Sequence, residues 1–223
     1  MAELRECPLC QAEVETHQGR FAVHGDCPGG FALIDEADGT SEGRYTNPSA
    51  WCPHPDRWHS ADWDSAELET SELVGALAGV LKPDIVVETG SAFGQTAHAI
   101  GTALSINDCG VLHTIEVSPE RADITRKRCE GLPVVVEQMS SLDFIPPGQV
   151  GLAWFDSLLP LRVPEFRHFY EWLAPGAIVG FHDVAPHFGP QMMHDIEALE
   201  EEGLLLPMAL RTPRGIVLGE VVK

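Results

Sequence analysis

The stretch Val86-Val87-Glu88-Thr89-Gly90-Ser91-Ala92-Phe93-Gly94-Gln95-Thr96 decides how this chain is read. Asp84 to Val87 is a β-branched run after a proline, the mark of a buried strand. Gly90 and Gly94 punctuate a tight turn. From Thr96 to Leu104 the spacing is helical, with Ala97, Ile100, Ala103 and Leu104 on one side. The order is strand, glycine loop, helix. Such a loop lets backbone approach a ligand, and the helix N-terminus favours a negative group. The pattern Glu-x-Gly-x-x-x-Gly lacks the middle glycine of the Gly-x-Gly-x-x-Gly fingerprint. Taken alone, it also fits a turn that binds nothing.

A second strand, Val111 to Val117, ends with Glu116. An acid in that place accepts hydrogen bonds from both hydroxyls of a ribose. An ordinary surface glutamate would look the same. Together, the glycine loop and the strand-end acid point to an adenosine-containing ligand.

Working outward, 223 residues suffice for one α/β domain with a small appendage. A hydrophobic content of 44% excludes wholesale disorder. No apolar run approaches the ~20 residues of a membrane helix. The N-terminus has no basic region followed by an apolar core, which implies a cytoplasmic protein. A net charge of -20 disfavours broad nucleic-acid binding. Arg121, Arg126, Lys127 and Arg128 cluster on one helix and read as a solvated face.

Residues 1–45 are a Cys/His-rich segment with a short hairpin expected from Phe21–Val23 and Phe31–Ile34. Residues 46–64 form a Pro/Trp/His-rich connector, which with three of the five tryptophans should pack on the main domain. Residues 65–223 are the main domain. Ser65 is expected to cap a helix running to Pro83, burying Leu68, Leu73, Leu77, Ala78 and Leu81. Ser118 and Pro119 start a charged helix to about Cys129. Further strands are expected at Pro133–Glu137, Val150–Asp156 and Ala177–Phe181, with a helix from Val163 to Leu173 stopped by Pro175-Gly176. A helix from Met192 to Glu202 precedes closing strands at Leu204–Leu210 and Gly215–Val221. Alternating strands and helices imply an α/β fold: a doubly wound, mostly parallel sheet with helices on both faces.

Cys7-x2-Cys10 followed by His24-x2-Cys27 has the ligand types and pair spacing of a structural zinc site. Cys52, His54 and His17 are alternative fourth ligands, and free thiols are the alternative to a metal. A segment this small has little core, so a metal staple is physically useful. Cys109 and Cys129 read as packing residues.

Glu88-Thr-Gly-Ser-Ala-Phe-Gly94, Glu116, Met139-Ser-Ser-Leu-Asp143, Trp154-Phe-Asp156, Leu173-Ala-Pro-Gly176 and Gly180-Phe-His-Asp183 occur in that order. In this the sequence resembles the Rossmann-like, class I S-adenosylmethionine-dependent methyltransferases, in particular the catechol O-methyltransferase-like small-molecule branch. The resemblance covers about residues 65–223 and implies seven strands with the last antiparallel. It implies that the loop Gly90, Ser91, Phe93 and Gly94 holds the methionine part of the cofactor. Glu88 would face its ammonium and Thr96 its carboxylate. Glu116 would hold the ribose, with Met139, Ser140 and Ser141 lining the adenine, and Asp156 would also stand against the cofactor; plain core packing is the other reading of Met139.

Asp156, His182 and Asp183 fall where the catechol-type enzymes carry magnesium ligands, and they would be the catalytic cluster. Here a histidine replaces the second ligand, and imidazole suits Zn, Fe, Ni or Mn better than Mg²⁺. A divalent ion at Asp156, His182 and Asp183 is one expectation. His182 as general base, or Asp156 as a structural acceptor, are others. The family's catalytic lysine aligns with Leu159, so His182, His187, His54 or His59 would have to supply the base. The function expected is methyl transfer to a small-molecule acceptor, at oxygen. A non-catalytic adenosyl-binding module and a nicotinamide-dependent oxidoreductase are the competitors. No membrane partner is expected, and a homodimer is left open.

Overall fold

A computed structural model describes residues 3–6, 13–17, 20–21, 40–41, 43–60, 62, 65–188 and 190–223, the first four stretches as backbone. The centre is one seven-stranded sheet. Its strands are β1 (Ile85–Thr89), β2 (Val111–Ile115), β3 (Val134–Glu137), β4 (Val150–Phe155), β5 (Leu173–His182), β6 (Leu205–Leu210) and β7 (Ile216–Val221). The spatial order is β6-β7-β5-β4-β1-β2-β3. β7 runs antiparallel to both its neighbours, whereas the pairs from β5 through β3 are parallel. This is the doubly wound arrangement with an antiparallel last strand.

The two-residue period of a strand sends neighbouring side chains to opposite faces. Val86, Leu112, Leu152 and Trp154 pack beneath α1 (Leu68–Leu81) and α2 (Gln95–Asn107). Val87, Ile115, Ala153 and Phe155 belong to the other core, with Phe166 and Phe169 of α4 (Arg162–Phe169) and Ile196 and Leu199 of α5 (Pro190–Glu201). Phe155, Phe166, Phe169 and Phe181 form an aromatic group with neighbouring centroids 5.2–6.3 Å apart. α3 (Pro119–Arg128) joins β2 to β3 and is capped as expected, with the Arg121 N–H donating to Ser118 Oγ.

Three elements differ from expectation. Ser65 is not a helix cap: its N–H and hydroxyl donate to the Asp62 carboxylate at 2.6 and 2.5 Å, and α1 begins at Leu68. The face α1 buries is Thr70, Ser71, Val74, Gly75 and Ala78, while Leu68 and Leu81 are exposed. Small residues win that face because α2 lies close. A Cβ on Gly75 would come 3.0 Å from the Ala99 carbonyl oxygen. Finally, the α4 helix stops at Phe169, and Pro175-Gly176 lie inside β5, where the register to β4 shifts between Leu173 and Ile178. Leu173 is fully buried and pairs with Val150, so sheet packing overrides the helical spacing.

Ahead of the sheet, Glu3–Glu6, Glu13–His17 and Arg20–Phe21 make an antiparallel meander, and Thr40–Ser41 pairs with Arg44–Tyr45. Phe21 is the one part of the expected hairpin within the described residues; Phe31–Ile34 lies outside them. So do Cys7, Cys10, His24 and Cys27. The connector packs as its composition suggested: Cys52 is buried and Trp51 lies against the core. None of the helices among the described residues is long and apolar enough to cross a membrane.

Candidate functional site

The parallel strands β1, β4 and β2 end side by side, and the loops after them open a cavity of about 300 Å³. Its lining includes Gly90, Glu116, Met139, Ser140, Ser141, Asp156, Leu158, Leu161, Arg162 and Arg214. A smaller cavity shares Gly90, Ala92 and Asp156 with it and adds Glu88, Ser91, Gln95 and Thr96. The expected cofactor residues therefore gather at the carboxyl ends of the strands, where ligands of open α/β sheets bind.

The loop itself explains the glycines. Gly90 has φ +81°, and a Cβ there would come 2.6 Å from the Asp156 carbonyl oxygen. Gly94 has φ +76° and sits at the N-cap of α2. Gly94 and Phe93 line neither cavity. Phe93 turns inward, 2% exposed, with the Arg121 guanidinium 5.5 Å from its ring, because a large aromatic gains more from burial than from solvent. It shapes the loop instead of facing the ligand space. Glu116 accepts from the Ala92 and Ser118 N–H groups at 3.1 and 2.9 Å, tying the glycine loop to the start of α3.

Glu88 is buried and accepts a 2.5 Å hydrogen bond from Thr114. Burial, with Asp156 and Glu116 nearby, pushes its carboxyl up to about 8 despite that bond. Gln95 was not anticipated. Its amide nitrogen donates to Ala66 O and Ser71 Oγ, which fixes its orientation and leaves Oε1 buried with no donor among the described residues. A carboxyl in need of a cation and an acceptor in need of a donor, lining one small cavity, suit an ammonium group.

Asp156, His182 and Asp183 do come together, their ligand-type atoms within 4.8 Å of one another. They do not come alone. His182 is wholly buried; Nδ1 lies 3.1 and 3.2 Å from the Asp156 oxygens and Nε2 lies 2.7 Å from Glu67. Glu67 is buried at the start of α1 and also accepts from Thr70 and the Arg214 N–H. Asp183, at φ +57°, takes the Arg214 guanidinium on both oxygens (2.6 and 3.0 Å) and Arg162 at 2.8 Å. Arg162 also lies 3.0 Å from Asp156, and it donates to the carbonyls of Ser157 and His182. Burial alone would lower the His182 pKa. The carboxylates of Asp156, Asp183 and Glu67 outweigh it and raise the group to about 10. Burial would raise Glu67, but His182 and Arg214 bring it down to about 2.

This corrects two expectations. His182 is held as a cation between two carboxylates and does not line either cavity, so it is not placed to take a proton from an acceptor. Asp183 is saturated by arginine and likewise lines neither. Asp156 alone of the three borders both cavities. The other candidate bases fare no better: His187 and His54 are exposed, His59 pairs with Glu69 at 2.6 Å, and none lines either cavity.

Glu165 is a further residue that spacing did not reveal. It is wholly buried and accepts hydroxyls from Thr89 and Ser157, both at 2.8 Å, and from Ser141. It thus ties the ends of β1 and β4 to the Ser140–Ser141 loop. Arg162, Arg214 and Glu67 were missed for the same reason: a charged residue near a turn carries no local sign that it will be buried against partners elsewhere.

Residues 87–184 match a family model described as a methyltransferase domain. Among solved structures, TomG of Streptomyces achromogenes, an O-methyltransferase of tomaymycin synthesis solved with SAM, aligns at 18% identity with a TM-score of 0.63. The alignment covers 74% of this chain and 84% of that one. The O-methyltransferase of Bacillus cereus in complex with SAH gives 16% identity and a TM-score of 0.62 over 71% of this chain and 83% of that one. SAH-bound methyltransferase PaMTH1 of Podospora anserina gives 15% and 0.62 over 71% and 80%. None of the curated proteins matches the sequence. The chain has the fold that these enzymes share.

Proposed function

We propose that the protein, whose residues 87–184 match a family model described as a methyltransferase domain, transfers the methyl group of S-adenosylmethionine to an oxygen of a small-molecule acceptor. The observation that carries this reading is the position of Asp156, which borders both the small polar cavity beside Glu88 and the larger one beside Glu116. One carboxylate thus stands at the junction between a place for an amino-acid moiety and a place for a nucleoside and an acceptor.

In this reading Glu116 receives the ribose hydroxyls, and Met139, Ser140 and Ser141 flank the adenine. Glu88 and Gln95 Oε1 receive the ammonium, and Ser91 and Thr96 lie by the carboxylate at the start of α2, where the helix dipole favours it. Bound S-adenosylmethionine supplies an electrophilic methyl group. The chain has to align the acceptor and take its proton. The cavity-facing carboxylate of Asp156 takes that proton. Leu158 and Leu161 give the acceptor side an apolar wall. The spacing of Cys7, Cys10, His24 and Cys27 supports a structural zinc in the N-terminal segment.

The test is calorimetry and turnover on the full chain. S-adenosylhomocysteine should bind and NAD should not. With a metabolite extract and labelled S-adenosylmethionine, Asp156→Asn should keep cofactor affinity and lose roughly 10²–10⁴-fold in turnover, the usual worth of a positioned base. Tight NAD binding with no binding of S-adenosylhomocysteine would end the proposal.

A further inference from the structure

The cluster at the ends of β4 and β5 has the residues of a divalent-cation site but not the free donors of one. Both nitrogens of His182 face carboxylates, at 2.7 Å (Glu67) and 3.1 Å (Asp156). A metal ligand needs a bare imidazole nitrogen, and here neither is bare. Both oxygens of Asp183 accept from guanidinium groups. Asp156 keeps only a share of its carboxylate, with Arg162 at 3.0 Å on Oδ1. The donor set does not fit a metal ion.

We propose that Arg162 and Arg214 hold the place of a divalent cation, so that the protein organises its acceptor without a metal ion at this cluster. The carboxylates are already engaged. Glu67, Asp156 and Asp183 hold Arg162, Arg214 and the ring of His182, all by contacts of 2.6–3.1 Å. An incoming dication would stand beside two fixed guanidiniums, and to reach Asp183 it would have to displace them. A displaced guanidinium in this setting is a buried charge with no partner, since Arg162 is 3% exposed. Geometry also explains why both cations must be arginines. Arg162 spans the carbonyl of Ser157, the carbonyl of His182 and two carboxylates at once, and Arg214 grips Asp183 on both oxygens while donating to Ser65 O. Only a planar fork with several donors does this. Both arginines border the cavity. The positive charge that faces an acceptor is therefore carried by side chains, and Arg162 is a positioning residue that acts through Asp156.

The proposal rests on the methyl-transfer reading only for what the cavity takes. Its test is metal uptake, which needs no acceptor. The full-length protein and Asp156→Asn are each saturated with S-adenosylhomocysteine and titrated with Mn²⁺, following free Mn²⁺ by electron paramagnetic resonance. Equal uptake by both is expected, because any manganese held elsewhere is common to the two. Uptake by the wild type of about one equivalent more than the variant would overturn the proposal. Should Asp156→Asn not fold, the His182 imidazole resonances of the wild type decide: one equivalent of Mn²⁺ should leave them unbroadened, and their selective loss would count against the proposal. Failure to bind S-adenosylhomocysteine would instead strike at the methyl-transfer reading and leave the manganese result standing.

Discussion

Glu88 shows what one buried side chain can commit a protein to. Its carboxyl is pushed up to about 8, first by burial and then by Asp156 and Glu116. At pH 7 the free protein therefore holds it mostly protonated. An ammonium group arriving beside it favours the carboxylate, so cofactor binding should release close to one proton. Calorimetry at pH 7 in buffers of different ionisation enthalpy should detect that proton, and Glu88→Gln should abolish it. The same shift sets a sign for stability. A folded pKa above the unfolded value of 4.5 means the contribution is present below pH 4.5 and lost as pH rises through about 8. The unliganded wild type should lose melting temperature over that window relative to Glu88→Gln. Glu116 makes a different commitment: Glu116→Ala removes charge-assisted acceptors for the ribose and should weaken S-adenosylhomocysteine binding by about 1.5–3 kcal/mol.

At the scale of elements, the site exists because strands β4 and β5 are held close enough to converge. Gly180 of β5 lies opposite Trp154 of β4, and a Cβ at position 180 would overlap the six-membered part of that indole. Trp154 in turn lies 5.9 Å, ring to ring, from His182. Gly180→Ala should therefore cost about 1–3 kcal/mol of stability by overpacking, read as a lower denaturation midpoint. It should also disturb the cluster around His182 two residues on. An unchanged midpoint would mean the two strands are looser there than their packing indicates.

At the scale of the whole molecule, the arginine of the last turn joins distant parts of the chain. Arg214, between β6 and β7, bonds Ser65 just ahead of α1, Glu67 at the start of α1 and Asp183 after β5. Its loss should lower the melting temperature more than the loss of an exposed pair such as Arg167–Glu202, because removing one partner of a buried ionic group leaves charges unpaired. Arg214→Ala against Arg167→Ala, compared by thermal denaturation, checks this. The N-terminal segment is a separate matter of composition. Elemental analysis should find about one zinc per chain, lost in Cys10→Ser, while S-adenosylhomocysteine affinity is kept.

The chain alone determined the α/β fold, the glycine loop, the strand-end acid Glu116 and the place of Asp156, His182 and Asp183. These are local matters: a two-residue period, a turn that needs glycine, a polar residue just past an apolar strand. Local spacing misled at Ser65 and at Pro175-Gly176. At Ser65 a carboxylate three residues back, Asp62, took the groups a cap would use, and at Pro175-Gly176 the neighbouring strand decided. The tertiary structure decided the chemistry of the cluster. Glu67 lies 115 positions from His182, and Arg214 lies 31 from Asp183 and 147 from Glu67. No pattern in the chain announces that two arginines and a glutamate will be buried around three residues of metal-ligand type. Electrostatic pairing acts through space, at a few ångströms, between groups that folding alone brings within reach.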